Sequence, residues 1–154
     1  MNLSSGYNKL DTLLTATGTW LQPVLLLLLR VWWGWSFFLT GKGKLMNLEK
    51  TTAFFAGLDL PLPKLNAIAA GSVECAGGLL LLLGFGSRAA CVPLIFTMAV
   101  AYGTAHKEEL GAILSDPDKF TGAAPFLFLL TSLIVFAFGP GKLSLDVLLF
   151  KKSG

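Results

Sequence analysis

Four apolar runs dominate the chain, at about residues 20–40, 65–85, 89–105 and 120–138. Each holds roughly 17–21 residues, near the ~20 that carry an α-helix across a ~30 Å hydrocarbon layer. A helix satisfies its own backbone hydrogen bonds, as lipid requires, whereas a membrane β-barrel would need short alternating segments. Composition agrees with lipid as the solvent. Of 154 residues, 54% are hydrophobic and 14% charged, against about 25% charged in ordinary soluble domains. A domain this small leaves much of its surface exposed, and mean hydropathy is +0.69. The low charge excludes disorder and a nucleic-acid module. The expected architecture is an all-α integral membrane protein: one domain over 1–154, folded as a four-transmembrane-helix bundle.

The connections differ in character. Residues 41–64 read as a long loop with an apolar patch, Thr52-Ala-Phe-Phe-Ala-Gly-Leu58, expected to form a short interfacial helix before the breaker Leu60-Pro-Leu-Pro63. Gly84-Phe-Gly-Ser-Arg88 predicts a tight turn between antiparallel neighbours, and Gly139-Pro-Gly141 stops the last helix. Tyr7–Thr17 predicts an amphipathic lead-in helix at the membrane surface. The polar stretch Met1–Thr19 lacks a signal-peptide layout, so the first run is expected to be a retained span. Sidedness is nearly balanced. Lys9, Arg88, Lys142, Lys151 and Lys152 fall on one side, and Lys42, Lys44, Lys50, Lys64, Lys107 and Lys119 on the other. Cytoplasmic termini are the expectation.

Two ionisable residues sit mid-run, Arg30 and Glu74. Each costs about 2.5–3.5 kcal/mol at the bilayer centre, so an Arg30–Glu74 pair is expected, either as a polar anchor for a lipophile or as a clamp between helices. Arg30, Gly34, Phe37, Gly41 and Lys44 recur at helical spacing with Trp33 close to that face. The gap at Gly34 suits a partner helix or a ligand ring. Ala67, Ala70, Gly71, Glu74 and Gly78 put Glu74 in a close-packed helix face. His106, the single histidine, ends the third run one turn after Tyr102. It suits a proton carrier or quinone donor as well as an interfacial helix end. One histidine without C-x-x-C-H argues against heme, no cluster at ligand spacing argues for a metal, and Cys75 and Cys91 form neither a disulfide framework nor a zinc site. No P-loop, dinucleotide turn or nucleophile elbow is present.

Arg30-Val-Trp-Trp-Gly-Trp-Ser-Phe-Phe38 followed by Gly41-Lys-Gly-Lys-Leu45 resembles the first helix of the DoxX family. So do Glu74-Cys-Ala-Gly-Gly-Leu-Leu-Leu-Leu-Leu-Gly84 with Gly86-Ser-Arg88, then Asp116-Pro-Asp-Lys-Phe120 and Gly139-Pro-Gly-Lys-Leu-Ser-Leu-Asp146. The resemblance covers about residues 20–150. It implies a multi-pass protein of the bacterial inner membrane, linked to quinone-dependent oxidoreduction or oxidative-stress systems, with Arg30, Gly34, Gly41, Lys44, Glu74, Gly78 and Arg88 at family positions and His106 near one.

Three functions follow as expectations. The first is a redox-accessory protein holding a quinone or similar lipophile in the bundle, with Arg30 and Glu74 as polar floor, Trp33, Gly34, Phe37 and Tyr102 around the ring, and Lys44 and His106 at the open end. Glu74 and His106 would handle protons; if an enzyme, the chain would be a quinone-linked oxidoreductase subunit. The second is a non-catalytic scaffold for a membrane-associated partner enzyme. The third is a small-solute transporter. Expected partners are the lipid bilayer, a lipophilic ligand, a partner enzyme and further copies of the chain, with no nucleic acid.

Overall fold

The computed structural model describes residues 3–150, and its regular structure there is entirely helical. The order is α1 (Leu3–Met46), α2 (Leu48–Gly57), α3 (Pro63–Leu83), α4 (Ser87–Thr104), α5 (Lys107–Gly111), α6 (Pro117–Thr121), α7 (Pro125–Phe138) and α8 (Leu145–Phe150). Lys151 and Lys152, counted in the charge balance, lie outside the described residues.

Two helices, α1 and α3, are long and apolar enough to cross a membrane. The apolar runs differ from the helices they predict in two places. The first run is the middle of a 44-residue helix. The lead-in segment continues into it without a break, and so does Gly41–Met46, read from sequence as loop. The last run divides: Phe120 belongs to α6, and α7 starts at Pro125, where a proline without N–H suits the first helical turn. Helix α7 has 14 residues, a rise of about 21 Å. The patch around Phe54 does form a helix, α2.

The C-terminal part of α1 packs antiparallel against α3, and α4 packs on α7. Contacts of α3 with α4 and of α1 with α7 close a ring of four, and α2 lies against α3 and α1. Four glycines set the α1–α3 register. A methyl on Gly34 would lie 2.7 Å from the Leu82 nitrogen, and one on Gly78 would lie 2.7 Å from the Gly34 carbonyl oxygen. One on Gly41 would lie 2.6 Å from the Gly71 carbonyl oxygen. Both pairs are spaced by seven residues, two helical turns, so the backbones touch twice along one line. The hydrophobic core is centred on Phe37, Leu81, Cys91, Leu94 and Val135.

One end of the ring is closed by the C-terminal segment. The Asp146 carboxylate accepts the backbone N–H groups of Gly86 (2.7 Å) and Ser87 (3.2 Å), capping α4, and its own N–H donates to the Gly84 carbonyl (2.9 Å). Arg88 donates from Nε to the Phe136 carbonyl (3.1 Å) and from Nη2 to the Ala137 carbonyl (3.2 Å), satisfying the last turn of α7.

Gly41→Ala and Gly78→Ala are each expected to cost about 1–3 kcal/mol through forced separation of α1 and α3. Gly43→Ala, whose added methyl meets nothing within 4 Å, should be neutral or slightly stabilising. Denaturant unfolding followed by circular dichroism in detergent checks the contrast.

Candidate functional site

The glycine register decides which charged groups meet. Gly34 stands beside Gly78 and Leu82, so Arg30, one turn earlier on α1, reaches the end of α3 at Gly84. Arg30 is 1% exposed and donates from Nη2 to the Leu143 carbonyl at 2.6 Å, while Nε and Nη1 have no hydrogen-bond partner. Glu74 lies ten residues earlier on α3, about 15 Å along the axis. The expected Arg30–Glu74 pair therefore does not form. It presumed that both runs were centred at the same depth, whereas α1 extends past Thr40 and carries Lys44 alongside Glu74. Lys44 Nζ donates to Glu74 Oε2 in an ion pair. The carboxylate is almost wholly buried and the lysine head about one-third exposed. A charge taken out of water in this way persists only when paired.

This pair opens onto a cavity of about 600 Å³, large enough for a small organic head group with part of a chain. Five helices contribute to it. Thr40 and Lys44 come from α1, Phe54 and Phe55 from α2, Asn66, Ala69, Ala70, Val73 and Glu74 from α3. Pro93, Phe96, Thr97 and Val100 come from α4, and Pro125 and Phe128 from α7. Leu58, Leu60 and Pro61, in the α2–α3 connection, close one end, where Asp59 and Leu62 hold left-handed backbone angles, φ +56° and +47°. Such angles cost a non-glycine residue of order 1–3 kcal/mol, so the connection is held by its neighbours.

His106 also lines the cavity, at the start of α5. Its Nδ1 is buried without a hydrogen bond, and the Glu109 carboxylate is 3.4 Å away, long for a directed contact. The Glu109 backbone N–H, and secondarily the nearby His106, hold that carboxyl below its ordinary range. Glu74, Lys44 and His106 thus share one lined space.

The other predicted site residues stand outside it. Gly34 is filled by α3 backbone. Phe37 is fully buried, and both it (4.6 Å between centroids) and Trp33 (4.9 Å) pack edge-on against Phe128. They back the cavity wall without lining it. Tyr102 is buried, stacks on Phe120 at 4.8 Å and donates its hydroxyl to the Phe120 carbonyl at 2.8 Å, anchoring α6. Arg30 belongs to the C-terminal closure. Sequence reasoning missed Thr40, Asn66, Phe96 and Phe128. Thr40 sits one turn before Lys44 on the same face and was legible by that spacing; Phe96 and Phe128 lie in uniformly apolar runs without periodic contrast.

The arrangement provides a donor, an acceptor and a titratable imidazole at the edge of an apolar space. Among the described residues no group of three or more His, Cys, Asp or Glu is placed to hold a metal.

The DoxX family model matches residues 25–107, which include α3, α4 and the cavity-facing parts of α1 and α2. The chain belongs to the DoxX family. It is 31% identical over 126 residues to the inner membrane protein YphA of Escherichia coli (strain K12), covering 81% of this chain and 90% of that one. It is 36% identical over 129 residues to a Bacillus subtilis (strain 168) protein named "Putative oxidoreductase CatD", covering 81% and 87%. No solved structure matches the chain. This DoxX-family chain is a membrane protein, as the sequence predicts.

Lys44→Met is expected to destabilise the fold by about 3 kcal/mol by stranding the buried Glu74 carboxylate, and Lys44→Met/Glu74→Met should recover most of that loss. Chemical unfolding of the three proteins in one detergent checks it; equal loss in the single and double variants would show that the ion pair is not the source.

Proposed function

We propose that this DoxX-family chain is a multi-pass protein of the bacterial inner membrane that binds a quinone-class lipophile in the cavity and serves a membrane oxidoreductase system. In this reading α1, α3, α4 and α7 all cross the bilayer, with the shorter α7 accommodated by local thinning. The observation that carries it is the Lys44–Glu74 ion pair at an otherwise largely apolar cavity. A purely structural clamp needs no adjoining space, and a space for lipid tails alone needs no buried carboxylate.

The donor set fits a quinone. The Lys44 ammonium donates to a ring carbonyl, and the Glu74 carboxylate accepts from the hydroxyl of the reduced ring. Phe128, held by Trp33 and Phe37, presents a fixed aromatic surface. A bound quinone supplies reversible uptake of two electrons and two protons. The chain's part is to orient the ring, exclude water and hold a proton at Glu74 or at the His106 imidazole on the rim. The name of the Bacillus subtilis relative supports an oxidoreductase setting. The same cavity does not favour the scaffold reading, which needs only exposed loops.

Organic extraction of the detergent-purified protein followed by mass spectrometry is expected to recover near-stoichiometric quinone from wild type and from Arg30→Met. Recovery should fall at least about tenfold in Lys44→Met and Glu74→Gln, the loss of one charge-assisted contact. Absence of quinone from folded wild type, with no binding when it is added back, rejects the proposal and shifts attention to a protein partner.

A further inference from the structure

The cavity has a sideways mouth. Several of its apolar lining residues are exposed, among them Phe54 of α2, Ala69 of α3 and Phe96 of α4, the last at 69%. Helix α2 rests on α1 and α3, so the cavity itself separates it from α4. The floor of this gap is Ala69, Ala70 and Val73, small side chains on the face of α3 turned to the opening. The charged pair lies elsewhere, with Glu74 buried at the inner end; Thr97, on the α4 wall, donates its hydroxyl to the Pro93 carbonyl of its own helix, and Asn66 donates to the Pro61 carbonyl in the connection that closes the cavity.

From this division we infer that the mouth between α2 and α4 opens into the hydrocarbon layer and passes the apolar tail of the ligand, with Ala69 and Val100 setting the width of the passage. The inference rests on the quinone reading and narrows it: the ligand is a polyprenyl quinone taken up sideways from the bilayer, and its tail stays in lipid while the head reaches Lys44 and Glu74. A ligand entering from water would meet exposed Phe54 and Phe96 at the threshold, an apolar surface that water disfavours and lipid accepts. Alanine at 69 and 70 matters because a chain threaded between helices needs close approach to the backbone, which a large side chain would fill.

The test compares two ligands and two single variants in phosphatidylcholine nanodiscs, using the full chain. The ligands are a polyprenyl benzoquinone and the same head group without a tail. The variants are Ala69→Phe, on the floor of the mouth, and Val100→Trp, on its α4 wall, both at exposed positions, so either one suffices if the other fails to fold. Ala76→Phe, also exposed on α3 but outside the cavity lining, is the control. Each affinity is taken relative to wild type with the same ligand, which cancels partitioning into lipid. The expected result is at least about tenfold weaker binding of the tailed quinone in both mouth variants, from steric overpacking, with the tailless ligand and the control within about twofold. Unchanged binding of the tailed quinone, or equal weakening of both ligands, overturns the passage and leaves the quinone site standing. Failure of wild type to bind either ligand overturns both readings.

Discussion

The close backbone contact between α1 and α3 is the constraint on which the rest depends. Gly34 against Gly78 and Gly41 against Gly71 allow no side chain between the helices. A slip of either helix by a single turn would drive a larger side chain into a backbone. The register that results places Lys44 beside Glu74 and sends Arg30 to Gly84. Without those four glycines the helices would still be apolar and helical, but the charges would meet in a different order, or not at all.

The two ends of the bundle then take on different work. At one end Arg30 (through Nη2 alone), Arg88 and Asp146 bond backbone groups of the C-terminal segment and the ends of α4 and α7. These contacts satisfy carbonyls and N–H groups that helix ends leave open. At the other end the interior is left as space, bounded by the strained α2–α3 connection and by His106. The bundle is thus closed at one end and hollow at the other, and the glycine register of α1 and α3 positions the charged pair at the hollow end.

Small residues serve two purposes on α3. Gly71 and Gly78 face α1, while Ala69 and Ala70 face the opening. One helix thus provides close packing on one side and a shallow floor on the other. The aromatic residues of α1 act at one remove, since Trp33 and Phe37 both bear on Phe128 and stiffen the wall it forms.

The sequence alone determined the class: run lengths and scarce charge require helices in lipid, the turn at Gly84–Arg88 requires antiparallel neighbours, and an ordered set of motifs points to the DoxX family. Those features are local, and local propensity and hydropathy decide them. It also brought Lys44, Glu74 and His106 forward as polar groups needing an explanation. The partner of each charge was decided only by tertiary structure. Arg30 and Glu74 look matched when each run is centred on its apolar middle, but the helices overrun those limits, and backbone contact between glycines sets their true offset. The cavity was hidden for a related reason. It is lined by residues from five helices, and a space between elements leaves no periodic mark in any one of them.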